Sequence, residues 1–219
     1  MENFSTTVEK YKEKNIEKVY DVSLRLFAMK GIQKVSFNEI ATNAEIGVAS
    51  LYRYFKNKKT LIYGCAIYHL TKIIDDIKPK VNSIQFQDKL AIEQLEQLLN
   101  FYISFYKDNK NFLIFLSDFD TFISFNKMDD ELESSYNRLY KSFYILAKRI
   151  YNKGLEDNSI RNDFDFDQFY YSIASSLFQT CIKGAVSPSI IPLDLLITTE
   201  QKLKTQIDIA IYYCKERIK

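Results

Sequence analysis

Four side chains, Val48, Ser50, Tyr52 and Arg53, stand on the side of a short helical stretch that its apolar residues leave free. Arg53 carries a planar fork of donors that fits the O6/N7 edge of a guanine. Val48 suits a thymine methyl, and Ser50 can go to either kind of base pair. Such a set reads bases if a helix carries it into the DNA major groove, N-terminal residues foremost. Residues of other chemistries form no comparable set. The sole histidine, His69, falls inside a predicted helix without a nearby acid or nucleophile pattern, so it reads as a solvated or hydrogen-bonded residue. Cys65, Cys181 and Cys214 are too widely separated for a metal motif or a disulfide framework, and read as reduced, mostly buried thiols. The chain lacks H-E-x-x-H and a phosphate-cradling glycine loop. Asp75-Asp76 and Asp129-Asp130 are adjacent, which on a helix sends their carboxylates to different parts of the surface. The sequence therefore predicts no catalytic residue, no metal site and no cofactor, and the chain does not read as an enzyme.

The stretch that must position the four side chains is Ser36 to Phe55, SFNEIATNAEIGVASLYRYF. It reads as two short helices joined by a tight turn, the second opening at Gly47. Ser36 and Glu39 form the S-x-x-E pattern, in which the Ser oxygen accepts a first-turn N–H and the Glu reaches back. Phe37, Ile40 and Ala41 share one face, and Ala44, Ile46, Leu51 and Phe55 continue it through the turn. Ahead of this pair, Ile16, Val19, Val22, Ser23, Leu26 and Phe27 step by three and four along a helix predicted from about Tyr11 to Lys30. Gly31 then stands where a left-handed helix stop is usual. After the pair, Asn57 caps a further helix start, where free N–H groups, the dipole and Lys58 together favour a phosphate.

Taken together, residues from about Val19 to Leu61 resemble the DNA-binding domain of the TetR family of bacterial transcriptional regulators. Leu26-Phe27, Gly31, Val35-Ser36, Ile40-Ala41, Ala44, Leu51-Tyr52, Phe55, Lys58 and Leu61 stand at that family's spacing. The resemblance implies that Tyr52, Lys58 and Ser36 contact DNA phosphates, which position without specifying sequence. Three residues depart from the family's pattern. Glu45 stands where the turn usually has Gly, Gly47 replaces a Ser or Thr cap, and Val48 takes a place that is commonly polar or basic.

The rest of the chain reads as all-α. Gly 5 and Pro 3 in 219 residues are few, and the helix-period runs are long. The expected division is a helix-turn-helix DNA-binding domain at 1–57 and a helical effector-binding and dimerisation domain at 58–219. The fourth helix is expected to reach about Ile77 and stop before Pro79. Further helices are read from about Phe86 to Lys107, within Asn111 to Phe125, and from about Asp129 to Leu155. Two more follow from Phe166 to Ala185 and from Glu200 to Arg217, with Ser187 to Thr199 as a connector. The resemblance implies a ligand cavity among these helices. Aromatic walls from Phe101, Tyr102, Phe105, Phe115, Phe119, Tyr140 and Tyr144 would suit a planar or largely apolar effector; a packed aromatic core is the alternative. It also implies a homodimer through the last two helices, with Ser172, Ser175, Ser176, Ile207 and Ile211 at the interface.

Charge is consistent with this division. Residues 1–64 hold 11 Lys/Arg against 7 Asp/Glu, a net of +4, within a chain whose total is +2. A basic N-terminal segment on a mildly acidic body suits phosphate contact. No run approaches the ~18–20 apolar residues of a membrane span, and a cytoplasmic protein is expected. The implied function is a ligand-responsive regulator, more readily a repressor than an activator, that binds a palindromic double-stranded DNA operator as a dimer. A helical small-molecule carrier or interaction module that no longer reads DNA is the rival.

Overall fold

The computed structural model describes residues 4–127, 129–186 and 196–215. Ten helices run through them: α1 (Phe4–Lys30), α2 (Phe37–Asn43), α3 (Val48–Tyr54), α4 (Lys58–Val81), α5 (Ile84–Gln87), α6 (Ala91–Asp108), α7 (Lys110–Phe125), α8 (Asp130–Glu156), α9 (Phe166–Val186) and α10 (Thr199–Cys214). No strand forms among the described residues, and a single antiparallel bridge joins Ile160 to Lys215. The fold is all-α, as the composition indicated. The expected connector from Ser187, with Pro188 and Pro192, lies largely outside the described residues, as does the expected end of the last helix at Arg217.

The helices gather into two compact units, residues 1–72 with 114–136 and residues 73–113 with 137–219. In the first unit the apolar stripe of α1 closes over the helix-turn-helix: Val19, Val22, Leu26 and Phe27 are buried with Ile40, Ala41, Leu51 and Phe55. The α7 segment completes this core from far along the chain. Phe115 stacks on Phe27 with ring centroids 5.8 Å apart, Phe119 lies 5.5 Å from Phe115, and Tyr63 meets Phe119 edge-on at 5.6 Å. The Tyr63 hydroxyl donates to the backbone carbonyl of Asn126. Burying these rings supplies much of the unit's apolar burial, each large aromatic removing ~150–250 Å² from water.

In the second unit α6, α9 and α10 pack against one another. At the N-terminus of α6 the helix's own Glu93 Oε2 accepts from the cap amide, Leu90 N–H, at 3.1 Å, but no side chain of the helix reaches the next two amides. The turn after α8 does this instead: Ala91 N–H donates to Asp157 Oδ2 at 2.8 Å and Ile92 N–H to Ser159 Oγ at 3.1 Å. A carboxylate at a helix N-terminus also complements the dipole. The last helix has a complete capping box, in which Thr198 Oγ1 accepts from Gln201 N–H and Gln201 Oε1 accepts from Thr198 N–H.

Several boundaries differ from the sequence reading. Helix α1 begins at Phe4, well before Tyr11. Helix α4 runs through Pro79 to Val81; a proline so close to the end disrupts only the final turn, where helix bonds are few in any case. The four-residue α5, capped by Ser83 Oγ accepting from Phe86 N–H at 3.2 Å, was not anticipated.

Candidate nucleic-acid interface

The site is set by how α2 ends. Ser36 Oγ accepts from Glu39 N–H at 3.1 Å and opens the helix. The Glu39 carboxylate does not complete a capping box; it accepts from Lys30 Nζ at the end of α1. At the other end Ile46 N–H donates to Ala41 O at 3.0 Å and Glu45 N–H to Thr42 O at 3.1 Å. That pair of bonds is the Schellman arrangement, whose left-handed position normally holds glycine. Here it is Glu45, with φ 54. The tight turn is therefore made without its usual residue. Gly47 follows as N-cap of α3 with φ −65 and ψ 139, and no side chain caps it.

Helix α3 is anchored by Leu51, fully buried. It is also fixed by the Tyr52 ring, whose centroid lies 4.9 Å from that of Phe37 on α2. Val48, Tyr52 and Arg53 are exposed, as the sequence reading placed them. Ser50 is half-buried and its Oγ accepts from Arg53 at 3.4 Å, so the structure couples these two candidates. The Arg53 guanidinium also lies 5.6 Å from the Tyr54 ring centre. Ala49 was overlooked because small apolar residues carry no outward signal in a hydrophobic pattern; it is exposed on the face of Tyr52 and Arg53.

The candidate phosphate contacts belong to the same unit as this helix. Ser36 is exposed. Asn57 caps α4, its Oδ1 accepting from Thr60 N–H at 2.9 Å. Lys58 Nζ donates to Gln33 O at 3.2 Å, and partial burial lowers its pKa from the ordinary lysine value. The ammonium is thus held against the loop between α1 and α2. His69, by contrast, belongs to the packing of α1 on α4, with Nε2 3.4 Å from Tyr20 O.

The residues expected to line an effector cavity are divided. Phe115 and Phe119, each 0% exposed, belong to the core of the first unit. Phe101 and Phe105 belong to the second and stack at 5.9 Å. Phe105 also stacks on Phe178 at 6.4 Å, and burial pushes the Tyr102 hydroxyl above its ordinary range. Tyr140 is partly exposed, and the Tyr144 hydroxyl donates to Asp167 Oδ1 at 3.0 Å. Phe101 does line a groove of about 590 Å³ with Ile77, Val81, Phe86, Leu98 and Asn100. Tyr144 lines a second, of about 430 Å³, along α8. Of the expected dimer residues, Ser172, Ser175 and Ser176 are exposed and Ile211 is half-buried. Ile207 points inward and is 0% exposed; Ile209 and Tyr212, at 62% and 75%, are the most exposed apolar residues of α10, with Tyr213 exposed beside them. Ile207 and Ile209, two residues apart, lie on roughly opposite sides of the helix, and a 3.6-residue period read without a partner does not fix which side faces inward.

An α-helical protein with a helix-turn-helix that presents a polar, partly basic face has the architecture of DNA-binding regulators. Residues 19–63 match the family model described as bacterial regulatory proteins, tetR family. A relative from Staphylococcus aureus (strain bovine RF122 / ET3-1), the HTH-type transcriptional regulator SAB2452, is 26% identical over 164 residues, covering 75% of this chain and 80% of that protein. Two solved structures share the fold. One, from Saccharomonospora viridis in complex with choline, has a TM-score of 0.73 at 16% identity, covering 94% of this chain and 100% of the other. The other, the transcriptional regulator FadR from Bacillus subtilis in complex with stearoyl-CoA, has a TM-score of 0.62 at 16% identity, covering 90% and 98%. Residues 19–63 are thus similar to the DNA-binding domain of the TetR family, and three quarters of the chain is similar to HTH-type transcriptional regulators.

Proposed function

We propose that the chain is a ligand-responsive repressor that binds a palindromic operator as a homodimer and releases it when a small, largely apolar or aromatic effector binds. The observation that carries this is the exposure of Val48, Ala49, Tyr52 and Arg53 on a helix whose opposite side is anchored by Leu51. In this reading Val48, Ser50 and Arg53 meet base edges, and Ser36, Tyr52 and Lys58 hold the phosphates. The stretch 1–57 acts as the DNA-binding domain and 58–219 as the effector-binding and dimerisation domain. A two-fold pair suits a palindrome, because two recognition helices one DNA turn apart read identical half-sites.

The dimer face combines Ser172, Ser175 and Ser176 of α9 with Ile209, Ile211 and Tyr212 of α10; Ile207 has no part in it. The effector enters the second unit with the groove at Phe101 as its entrance, and Tyr102, Phe105, Tyr140 and Tyr144 of the same unit are assigned as further contacts. Complexes of structural neighbours with choline and stearoyl-CoA support the idea of a ligand-binding helical domain without naming the ligand here. An effector shifts DNA affinity only by its own differential affinity for the two states.

Selection from a pool of random double-stranded oligonucleotides tests the proposal. Enrichment of a palindromic site is expected, and Arg53→Ala should weaken binding to it by ~1–3 kcal/mol while relaxing one base position. A pool with no enriched sequence would sink the DNA-reading function and favour the carrier.

A further inference from the structure

The turn between α2 and α3 holds a glutamate where its backbone calls for a residue without a Cβ. Glu45 sits at φ 54, in the left-handed region that L side chains adopt only at a cost. Its backbone N–H and that of Ile46 make the closing bonds of α2, so the conformation cannot relax without opening the turn. The side chain has a partner far away in sequence: Lys18 Nζ lies 2.5 Å from Glu45 Oε2, across 27 positions. The ammonium keeps the Glu45 carboxyl below its ordinary pKa. A second pair, Lys30 with Glu39, joins the C-terminal end of α1 to the first turn of α2. Two lysines of α1 thus hold the first turn of α2 and the turn that follows it.

We propose that Lys18 is a positioning residue for DNA binding, acting through Glu45 to hold the strained turn from which α3 departs. The inference rests on the DNA-reading function and adds to it a residue outside the recognition helix. It explains how a glutamate serves at this turn: glycine needs no tie to stay left-handed, whereas Glu45 supplies one. The pair is largely solvated, with side-chain exposures of 43% for Lys18 and 79% for Glu45. Exposed pairs are weak, so the effect expected is a small multiple and not a loss of function. The direction of action is also specific. Lys18 serves α3 by tethering the turn, so its charge matters only while Glu45 is opposite it.

A double-mutant cycle on the full chain separates this from a direct lysine–phosphate contact. Lys18→Met should reduce affinity for an oligonucleotide recovered by selection by about two- to five-fold. In a Glu45→Gly background, where the turn needs no tie, Lys18→Met should change nothing. The charge swap K18E/E45K should recover most of the lost affinity. Equal losses in both backgrounds, or a swap that binds worse than either single variant, would mean that Lys18 acts on DNA directly and would overturn the proposal; so would no loss in the wild-type background. Amide hydrogen exchange without DNA gives a second reading. The Glu45 and Ile46 amides should exchange about two- to five-fold faster in Lys18→Met, and unchanged exchange there overturns the tether. If selection recovers no site, the DNA-reading function has failed, and the exchange result still decides whether Lys18 holds the turn.

Discussion

Replacing Gly31 by alanine puts a number on how the helix-turn-helix is entered. Gly31 ends α1 at φ 83, and its N–H donates to Phe27 O at 2.8 Å. A side chain in that conformation costs ~1–2 kcal/mol. A Cβ built there would also lie 3.2 Å from Asp118 Oδ2. That carboxylate oxygen accepts from the next amide, Ile32 N–H, at 3.2 Å. Pushing it away weakens a charge-assisted bond, adding ~1 kcal/mol. Against this, alanine restricts the unfolded chain and returns ~0.4–1 kcal/mol. The net loss should be ~1–3 kcal/mol. With an unfolding entropy of ~2.1 cal/mol/K per residue, a cooperative 219-residue chain should melt ~2–6 °C lower. Thermal unfolding followed by circular dichroism measures this directly. The same assay on Gly47→Ser should show no loss, since Gly47 has φ −65 and a Cβ there meets nothing within 4 Å. If both substitutions shift the melting temperature equally, backbone conformation is not what distinguishes the two glycines, and the reasoning fails.

Two further outcomes concern polar groups of the same unit, one buried and one half-buried. Ser23 is fully buried, with no hydrogen-bond partner for its hydroxyl among the described residues. Ser23→Ala should therefore leave stability unchanged or raise it by up to ~1–2 kcal/mol in chemical denaturation, and a clear loss would reveal an unseen partner. Burial lowers the pKa of His69 from 6.5, with Lys72 acting the same way, while the bond to Tyr20 O and the charge of Asp21 oppose them. The folded state then binds fewer protons than the unfolded one. Stability should be complete above about pH 6.5 and decline as the pH falls below it. His69→Gln should remove this part of the decline; parallel melting curves from pH 7.5 to 5 for the two chains would exclude it.

What could be read from the sequence was short in range. The Ser36 cap, the Gly31 stop, the Asn57 cap and the buried line through Ile40, Leu51 and Phe55 each depend on neighbours a few residues away, and the structure has all of them. Partners distant in sequence were not legible. The pattern around Phe115 and Phe119 announces burial but not the Phe27 and Tyr63 rings that cover them. Asp157 and Ser159 lie in a turn-rich loop whose composition says nothing of the α6 amides they satisfy 66 and 67 residues away. On the DNA-facing side, Glu45 was visible as a departure from the family, yet Lys18 as its partner was not, because a lysine on an exposed helix face resembles any other. Ile207 was misplaced for a related reason. Its period was right, but which stripe of α10 faces inward depends on α6 and α9.

The way α7 contributes to the first unit bears on how such regulators can be recombined. A hybrid that joined residues 1–57 of this chain to the remainder of a relative would separate Phe27 from the Phe115 that covers it and leave Ile32 N–H without the Asp118 carboxylate. The inherited part would have to include 114–136 as well, two pieces of sequence carried together. If α3 reads DNA as proposed, exchange of operator specificity between relatives is then easier by changing its exposed residues than by moving a whole segment. Selection acting on this fold would meet the same asymmetry, with recognition residues free to drift while the distant aromatic cover stays matched to its base.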